Sequence, residues 1–147
     1  MNLDANFNLE KLLPHKPPMI LIDKVLEVDF ERKKIVCEVK ITPNQMFYDK
    51  TINGVSSFLG LEFMAQTAGC YVHLKSGEDK EPQIGFLLGT RLYKSALDTF
   101  LKGRVYTISA CEVFSDDTMA SFECFIYDND QECASAVINA YQPKEEL

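Results

Sequence analysis

Apolar residues recur in two distinct rhythms along this chain. The segment Ile35-Val-Cys-Glu-Val-Lys-Ile41 alternates, as a half-buried strand does. Met19 to Val28 is rich in branched apolar residues and reads as a strand too. The charged turn Glu31-Arg-Lys-Lys34 joins the two into a hairpin. Upstream, Leu9 to Leu13 predicts a short helix stopped by Pro14, with Pro17-Pro18 following. From residue 51 the rhythm changes. Asn53 is placed to cap a long helix, Gly54 to permit the turn into it, and the helical pattern runs to about Leu74 before Lys75-Ser76-Gly77 ends it. Helical spacing predicts a buried stripe of Phe58, Leu61, Ala65, Ala68 and Val72. Gly60 and Gly69 each cost such a helix about 1 kcal/mol relative to alanine, which points to close approach of another backbone. Past a polar loop at 77–82, three or four strands are predicted. One lies within Gln83 to Tyr93 and the others span Gly103 to Phe114, Met119 to Tyr127 and Glu132 to Tyr141. The last two are joined by a turn at Asp128-Asn-Asp130. A hairpin, one long apolar helix and an antiparallel meander make an α+β fold. A helix apolar on most faces has to be wrapped, and a curved antiparallel sheet does this economically.

The 147 residues are read as one domain, 1–147, large enough for a substantial core. A net charge of −7 disfavours nonspecific binding to nucleic acid or to an anionic membrane. The run 51–74 is long enough to span a bilayer, but Asn53, Ser56, Ser57, Glu62, Gln66 and Thr67 make that costly, so it reads as a buried helix of a soluble protein. Its N-terminus lacks the basic and long apolar regions of a signal peptide. Five cysteines, with no C-x-x-C pair, argue against a disulfide framework or a zinc site and for a reducing cytoplasm. There is no Gly-rich phosphate loop, no metal-ligand spacing and no nucleophile elbow; no cofactor or metal is expected. Gly85-Phe-Leu-Leu-Gly89 has no following helix and reads as a strand with a bulge at Gly89.

Glu62 is the only charged side chain between Lys50 and Lys75. In a partly dry pocket such a carboxyl can hold a proton for acid catalysis; on an exposed stripe it is solvated. Gln66 lies one turn later on the same face, where it could orient the carboxyl or bind neighbouring backbone. His73, near the helix end, is expected to cap or face solvent. His15 sits in a loop stiffened by Pro14, Pro17 and Pro18, which could hold its imidazole in a fixed place.

The string Leu12-Leu-Pro-His15-Lys-Pro-Pro-Met-Ile-Leu-Ile-Asp23, followed by Leu61-Glu-Phe-Met-Ala-Gln66, resembles the 3-hydroxyacyl-acyl-carrier-protein dehydratases. Gly85-Phe-Leu-Leu-Gly-Thr-Arg-Leu-Tyr93 and Tyr141-Gln-Pro143 look most like their subgroup from aryl polyene pigment clusters. The resemblance covers about residues 9–143. It implies a hotdog fold, elimination of water from a 3-hydroxyacyl thioester of acyl-carrier protein, and a homodimer or a hotdog heterodimer. It implies Glu62 as the helix acid, Gln66 as its companion, the Ser57 backbone N–H as the group polarising the thioester carbonyl, and Gly89 as backbone lining the acyl tunnel. The family's base is a histidine in a Gly-His-Phe-Pro-Gly loop, fourteen residues before the glutamate. That count lands on Tyr48 here, and alignment from Phe47-Tyr48 lands on Thr51. Candidate replacements are His15 and Asp49. The alternatives are an acyl thioesterase, or a non-catalytic acyl-binding or assembly subunit. Arg91, Lys94, Lys102 and Arg104 are the candidates for docking an acidic carrier, the alternative being a solvated strand edge.

Overall fold

The computed structural model describes residues 7–77 and 87–141, with side chains of 87–91 outside the description. Along the chain run α1 (Leu9–Leu12), β1 (Lys24–Asp29), β2 (Lys34–Lys40), β3 (Tyr48–Asp49), β4 (Gly54–Ser56), a 3-10 turn (Ser57–Leu59) and α2 (Gly60–Ser76). Then come β5 (Leu87–Ser95), β6 (Thr99–Leu101), β7 (Val105–Ser115), β8 (Met119–Asp128) and β9 (Gln131–Tyr141). Six strands form one antiparallel sheet in the order β1-β2-β7-β8-β9-β5, and β3-β4-β6 form a small second sheet. This is the wrapped-helix arrangement expected from the pattern.

Alternation decides which side of the sheet meets the helix. Ile35, Cys37 and Val39 on β2, Tyr106, Ile108 and Ala110 on β7, and Phe122, Cys124 and Ile126 on β8 are all fully buried. They pack with Phe63, Met64, Ala68, Cys70 and Tyr71 of α2. Aromatic rings knit helix to sheet: Tyr71 meets Phe122 edge-on at 5.8 Å, and Phe63 lies 5.5 Å from Phe100. All five cysteines are free. Burial pushes the Cys124 thiol up to about 12 and Cys133 to about 11, so both behave as small core residues.

Several expectations are corrected. The long helix does not start at Asn53. That residue has φ 56°, outside the range of a helix cap, and β4 and the 3-10 turn intervene before Gly60. Ser56 is the residue whose side chain caps the turn, accepting the Phe58 N–H. The predicted stripe is also displaced. Ala68 alone of the five is fully buried; Leu61, Ala65 and Val72 are half-buried against the core, and Phe58 is 83% exposed. A helix apolar nearly all round gives periodicity little to distinguish, so the sheet selects the buried face. Residues Met19 to Asp23 are not in β1, which begins at Lys24. β3, β4 and β6 have only two or three residues each, too short to show alternation. His73 is buried, not superficial, and its Nε2 has no hydrogen-bond partner. Gly89 is in regular register with Asn139, and the β5 irregularity falls between Arg91 and Lys94. The loop 78–82, residues 83–86 of the predicted strand and Gln142-Pro143 lie outside the described residues.

The helix glycines owe their place to side chains, not to another backbone. A Cβ on Gly60 would sit 2.2 Å from the Tyr93 hydroxyl oxygen, and one on Gly69 would sit 3.3 Å from Leu13 Cδ2. The C-terminal signal holds: Gly77, at φ 109°, closes α2 and donates to the carbonyls of His73 and Leu74. Among the described residues, no helix is long and apolar enough to cross a membrane.

Candidate active site

The strap between α1 and β1 carries the Leu-Pro-His string across the first turns of α2. It has no ladder partner until Asp23 N–H donates to Glu38 O at 2.8 Å. The backbone groups of a buried strap need partners from elsewhere, and Gln66 supplies them. Its Oε1 accepts the Leu21 N–H at 2.9 Å, and its Nε2 donates to Met19 O at 2.8 Å and to Glu62 Oε1 at 3.1 Å. Gln66 is only 1% exposed. It therefore both binds neighbouring backbone and orients the carboxyl. Both N–H groups of its amide are thus engaged, one by the strap and one by Glu62.

The strap in turn delivers His15. Its Nε2 lies 3.3 Å from Glu62 Oε1 within the same chain, and both side chains are about one-third exposed. Nδ1 is buried without a partner, and Nε2 is the nitrogen that faces Glu62. Glu62 Oε1 thus accepts from the Gln66 amide and faces His15 Nε2 at 3.3 Å.

The other replacement base does not have suitable chemistry. Asp49 accepts the Thr51 hydroxyl at 2.6 Å and the Thr51 N–H at 2.8 Å. The hydroxyl bond, then the amide bond, holds its carboxyl below the usual carboxylate range. An aspartate so stabilised is a poor proton acceptor. Tyr48, at the other aligned position, donates its hydroxyl to Asn53 Oδ1 at 3.1 Å.

The expected role of Ser57 also changes. Its N–H already donates to Asp98 O at 3.0 Å, and its carbonyl accepts the Gly60 N–H and the Tyr93 hydroxyl. The loosely held donor at the start of the helix is instead the Phe58 N–H, 3.3 Å from Ser56 Oγ. Burial raises the Tyr93 pKa, so the hydroxyl stays a donor. Sequence reasoning missed this node, although a glycine at the first residue of a helix marked its crowding. Gly89 lies on β5, an edge strand of the sheet. The expected basic patch is dispersed. Arg104 pairs with Asp128 at 2.9 Å, Lys94 opens onto the outer sheet face beside Glu123, and the Arg91 side chain is outside the described residues.

Replacing Gln66 by leucine fits the volume but leaves the Leu21 N–H and Met19 carbonyl without partners. Each buried orphan costs about 1–3 kcal/mol, so Gln66→Leu is expected to lose roughly 2–6 kcal/mol of stability in urea titration. Any turnover should fall through kcat more than through KM, because the change disorders Glu62 and removes no ligand contact. Wild-type stability and kcat in this variant would rule out the positioning role.

Comparison with known proteins assigns the family and the fold. The profile of the ApeP-like family, described as ApeP dehydratase, matches residues 7–147. The 3-hydroxyacyl-[acyl-carrier-protein] dehydratase FabZ of Chlamydia abortus is 34% identical over 106 residues, covering 69% of this chain and 68% of that protein. The dehydratase heterocomplex ApeI:P from Xenorhabdus doucetiae contains a chain that superimposes with a TM-score of 0.85 at 25% identity, covering 96% of this chain and 94% of that one. A hypothetical thioesterase from Streptococcus pneumoniae, solved with coenzyme A, shares the fold alone, at TM-score 0.61 and 12% identity over 84% of this chain and 87% of that one. The hotdog architecture and the match over almost the whole length place this chain in the ApeP-like family of dehydratases.

Proposed function

We propose that this chain dehydrates 3-hydroxyacyl thioesters carried by an acyl-carrier protein, in fatty-acid or aryl-polyene-type synthesis, with His15 and Glu62 as its proton-transfer pair. The supporting observation is the 3.3 Å contact between His15 Nε2 and Glu62 Oε1, made within one chain that lacks the family's loop histidine. Elimination takes a proton from the carbon beside the thioester carbonyl and gives one to the departing hydroxyl. His15 Nε2 accepts the first. The electrons of that C–H bond form the double bond as the C–O bond breaks, and the Glu62 proton completes the leaving water. Transfer from Nε2–H back to Oε1 across the contact resets the pair. Proton count is conserved, so no external acid or base is required.

The thioester carbonyl gains electron density during proton removal, and an N–H at a helix start is suited to receive it. In this reading Phe58 N–H replaces Ser57 N–H in that role, and the backbone at Gly89 lines the acyl path. A second hotdog subunit, identical or related, completes the tunnel. Support comes from the position of β5 at the edge of the sheet among the described strands and from the half-buried apolar flank Leu61, Ala65 and Val72 beside Glu62. The similar ApeI:P structure is itself a heterocomplex. One domain of residues 1–147 carries the site, and its free thiols suit a reducing cytoplasm.

The test incubates the purified chain, alone and with a second hotdog dehydratase subunit, with a 3-hydroxyacyl carrier-protein thioester. Loss of one water from the carrier-bound acyl group is followed by mass. Enoyl product that depends on His15 and Glu62 is expected. Release of free thiol without enoyl product would favour a thioesterase. Turnover only in the mixture, and unaffected by substituting either residue, would make this chain a non-catalytic subunit.

A further inference from the structure

The sheet face turned away from α2 carries a shallow concavity lined by Leu92, Lys94, Glu123, Phe125, Ser135 and Val137. Strand register fixes its layout. Lys94 stands opposite Ser135, and Ser135 opposite Phe125. In the neighbouring row Val137 stands opposite Glu123, and Leu92 lies in the irregularity between Arg91, the partner of Val137, and Lys94. The corners are therefore Leu92 and Lys94 on β5 and Glu123 and Phe125 on β8. Lys94 is diagonal to Glu123, and Leu92 is diagonal to Phe125.

Two features single this patch out. Leu92 is 75% exposed and has φ 56°. That left-handed backbone costs a leucine about 1–2 kcal/mol, and its effect here is to leave a large aliphatic side chain in water. Strain of this kind collects where a surface has a task. Lys94 and Glu123 are each exposed and have no ion-pair partner among the described residues.

We propose that this face binds a second copy of this chain across a two-fold axis lying in the interface along the Leu92–Phe125 diagonal. A face-to-face contact requires such an in-plane axis, and an isologous contact requires a self-complementary patch. This patch meets both conditions. Residues on the axis meet their own copies, so Leu92 packs on Leu92 of the partner subunit and Phe125 on the partner's Phe125. Residues off the axis exchange, so Lys94 meets the partner's Glu123, and the reverse pair forms on the other side. The contact uses the outer sheet face and leaves the β5 edge open, so it multiplies whatever unit pairs through that edge. It does not depend on the dehydratase reading.

Sedimentation velocity across a concentration series tests it on the full chain. Leu92→Asp is the first variant. Aspartate accepts positive φ more readily than leucine, so folding is preserved while a charge is set on the axis. The wild type is expected to reach twice the mass of Leu92→Asp. Lys94→Glu and Glu123→Lys each set like charges together at both ends of the contact, and each is expected to weaken association roughly tenfold or more. Lys94→Glu combined with Glu123→Lys restores opposite charges and is expected to return association to within about threefold of wild type. Equal masses for wild type and Leu92→Asp at every concentration would overturn the proposal. A double reversal no tighter than the single reversals would do the same.

Discussion

Exchange of Glu62 for glutamine is expected to lower dehydration turnover by roughly 10²- to 10⁴-fold, the range that a positioned acid–base group contributes. The substitution isolates the proton. Glutamine keeps the length and shape of the side chain, so it stays beside His15 Nε2, and its carbonyl oxygen can still accept from Gln66 Nε2, now 3.1 Å away. The strap contacts of Gln66 to Leu21 and Met19 do not involve position 62, so the fold should change by less than about 1 kcal/mol. Turnover is read as enoyl product by mass, and stability by thermal melting of the same samples. His15→Gln should lose a similar factor. Because the two residues share one mobile proton, the double variant should be no more than about threefold worse than either single variant, as for residues that act as a unit. Retention of a tenth or more of wild-type turnover in Glu62→Gln would remove the carboxyl from the mechanism. Multiplicative losses in the double variant would show that the two side chains act independently.

Among the described glycines, Gly54→Ala is expected to be strongly destabilising, at about 3 kcal/mol or more, the upper end of overpacking costs. The added Cβ would stand 2.1 Å from the Phe100 carbonyl oxygen and 2.8 Å from Thr99 Cγ2. The first of these is backbone and cannot rotate away. Relief requires β4 to part from β6, breaking the pairing of Gly54 with Leu101 and Val55 with Phe100. Against a typical total of 5–15 kcal/mol that is a large loss, with a fall in melting temperature on the order of 10 °C. Activity should drop as well, because β4 leads directly into the 3-10 turn and the first turn of α2, which sets Glu62. Gly69→Ala is the contrasting control. There the neighbour is Leu13 Cδ2 at 3.3 Å, the end of a flexible side chain, while the helix gains about 1 kcal/mol of propensity. That variant should melt within a few degrees of wild type. Equal melting temperatures for wild type and Gly54→Ala would contradict the close packing of the small sheet on Phe100.

The legible parts of this protein were those whose information is local. β2, β8 and β9 announced themselves because each alternates over six or more residues with one face dry, and β1 and β7 through their branched and aromatic apolar content. The helix end at Gly77 was written in the cation and glycine that close it. Its start was misplaced because Asn53 and Gly54 carry cap-like chemistry but serve a positive-φ turn and a tight strand crossing. The small sheet was invisible, since strands of two or three residues hold no period. At the site, the spacing of Glu62 and Gln66 showed that they share a helix face. It could not show that Gln66 spends its amide on the backbone of Leu21 and Met19, forty-five and forty-seven residues away.

The sequence by itself determined the α+β order, one helix apolar nearly all round inside an antiparallel meander, and the lone carboxyl at Glu62 with an amide one turn on. These follow from periodicity and from the cost of burying charge, which neighbouring residues largely fix. Only the tertiary structure decided which helix face is buried, that the Ser57 N–H is already taken, and that His15 stands 3.3 Å from Glu62. Those facts depend on contacts between segments distant in the chain. No rhythm along the chain encodes them, because they arise where the strap, the helix and the small sheet are packed against one another.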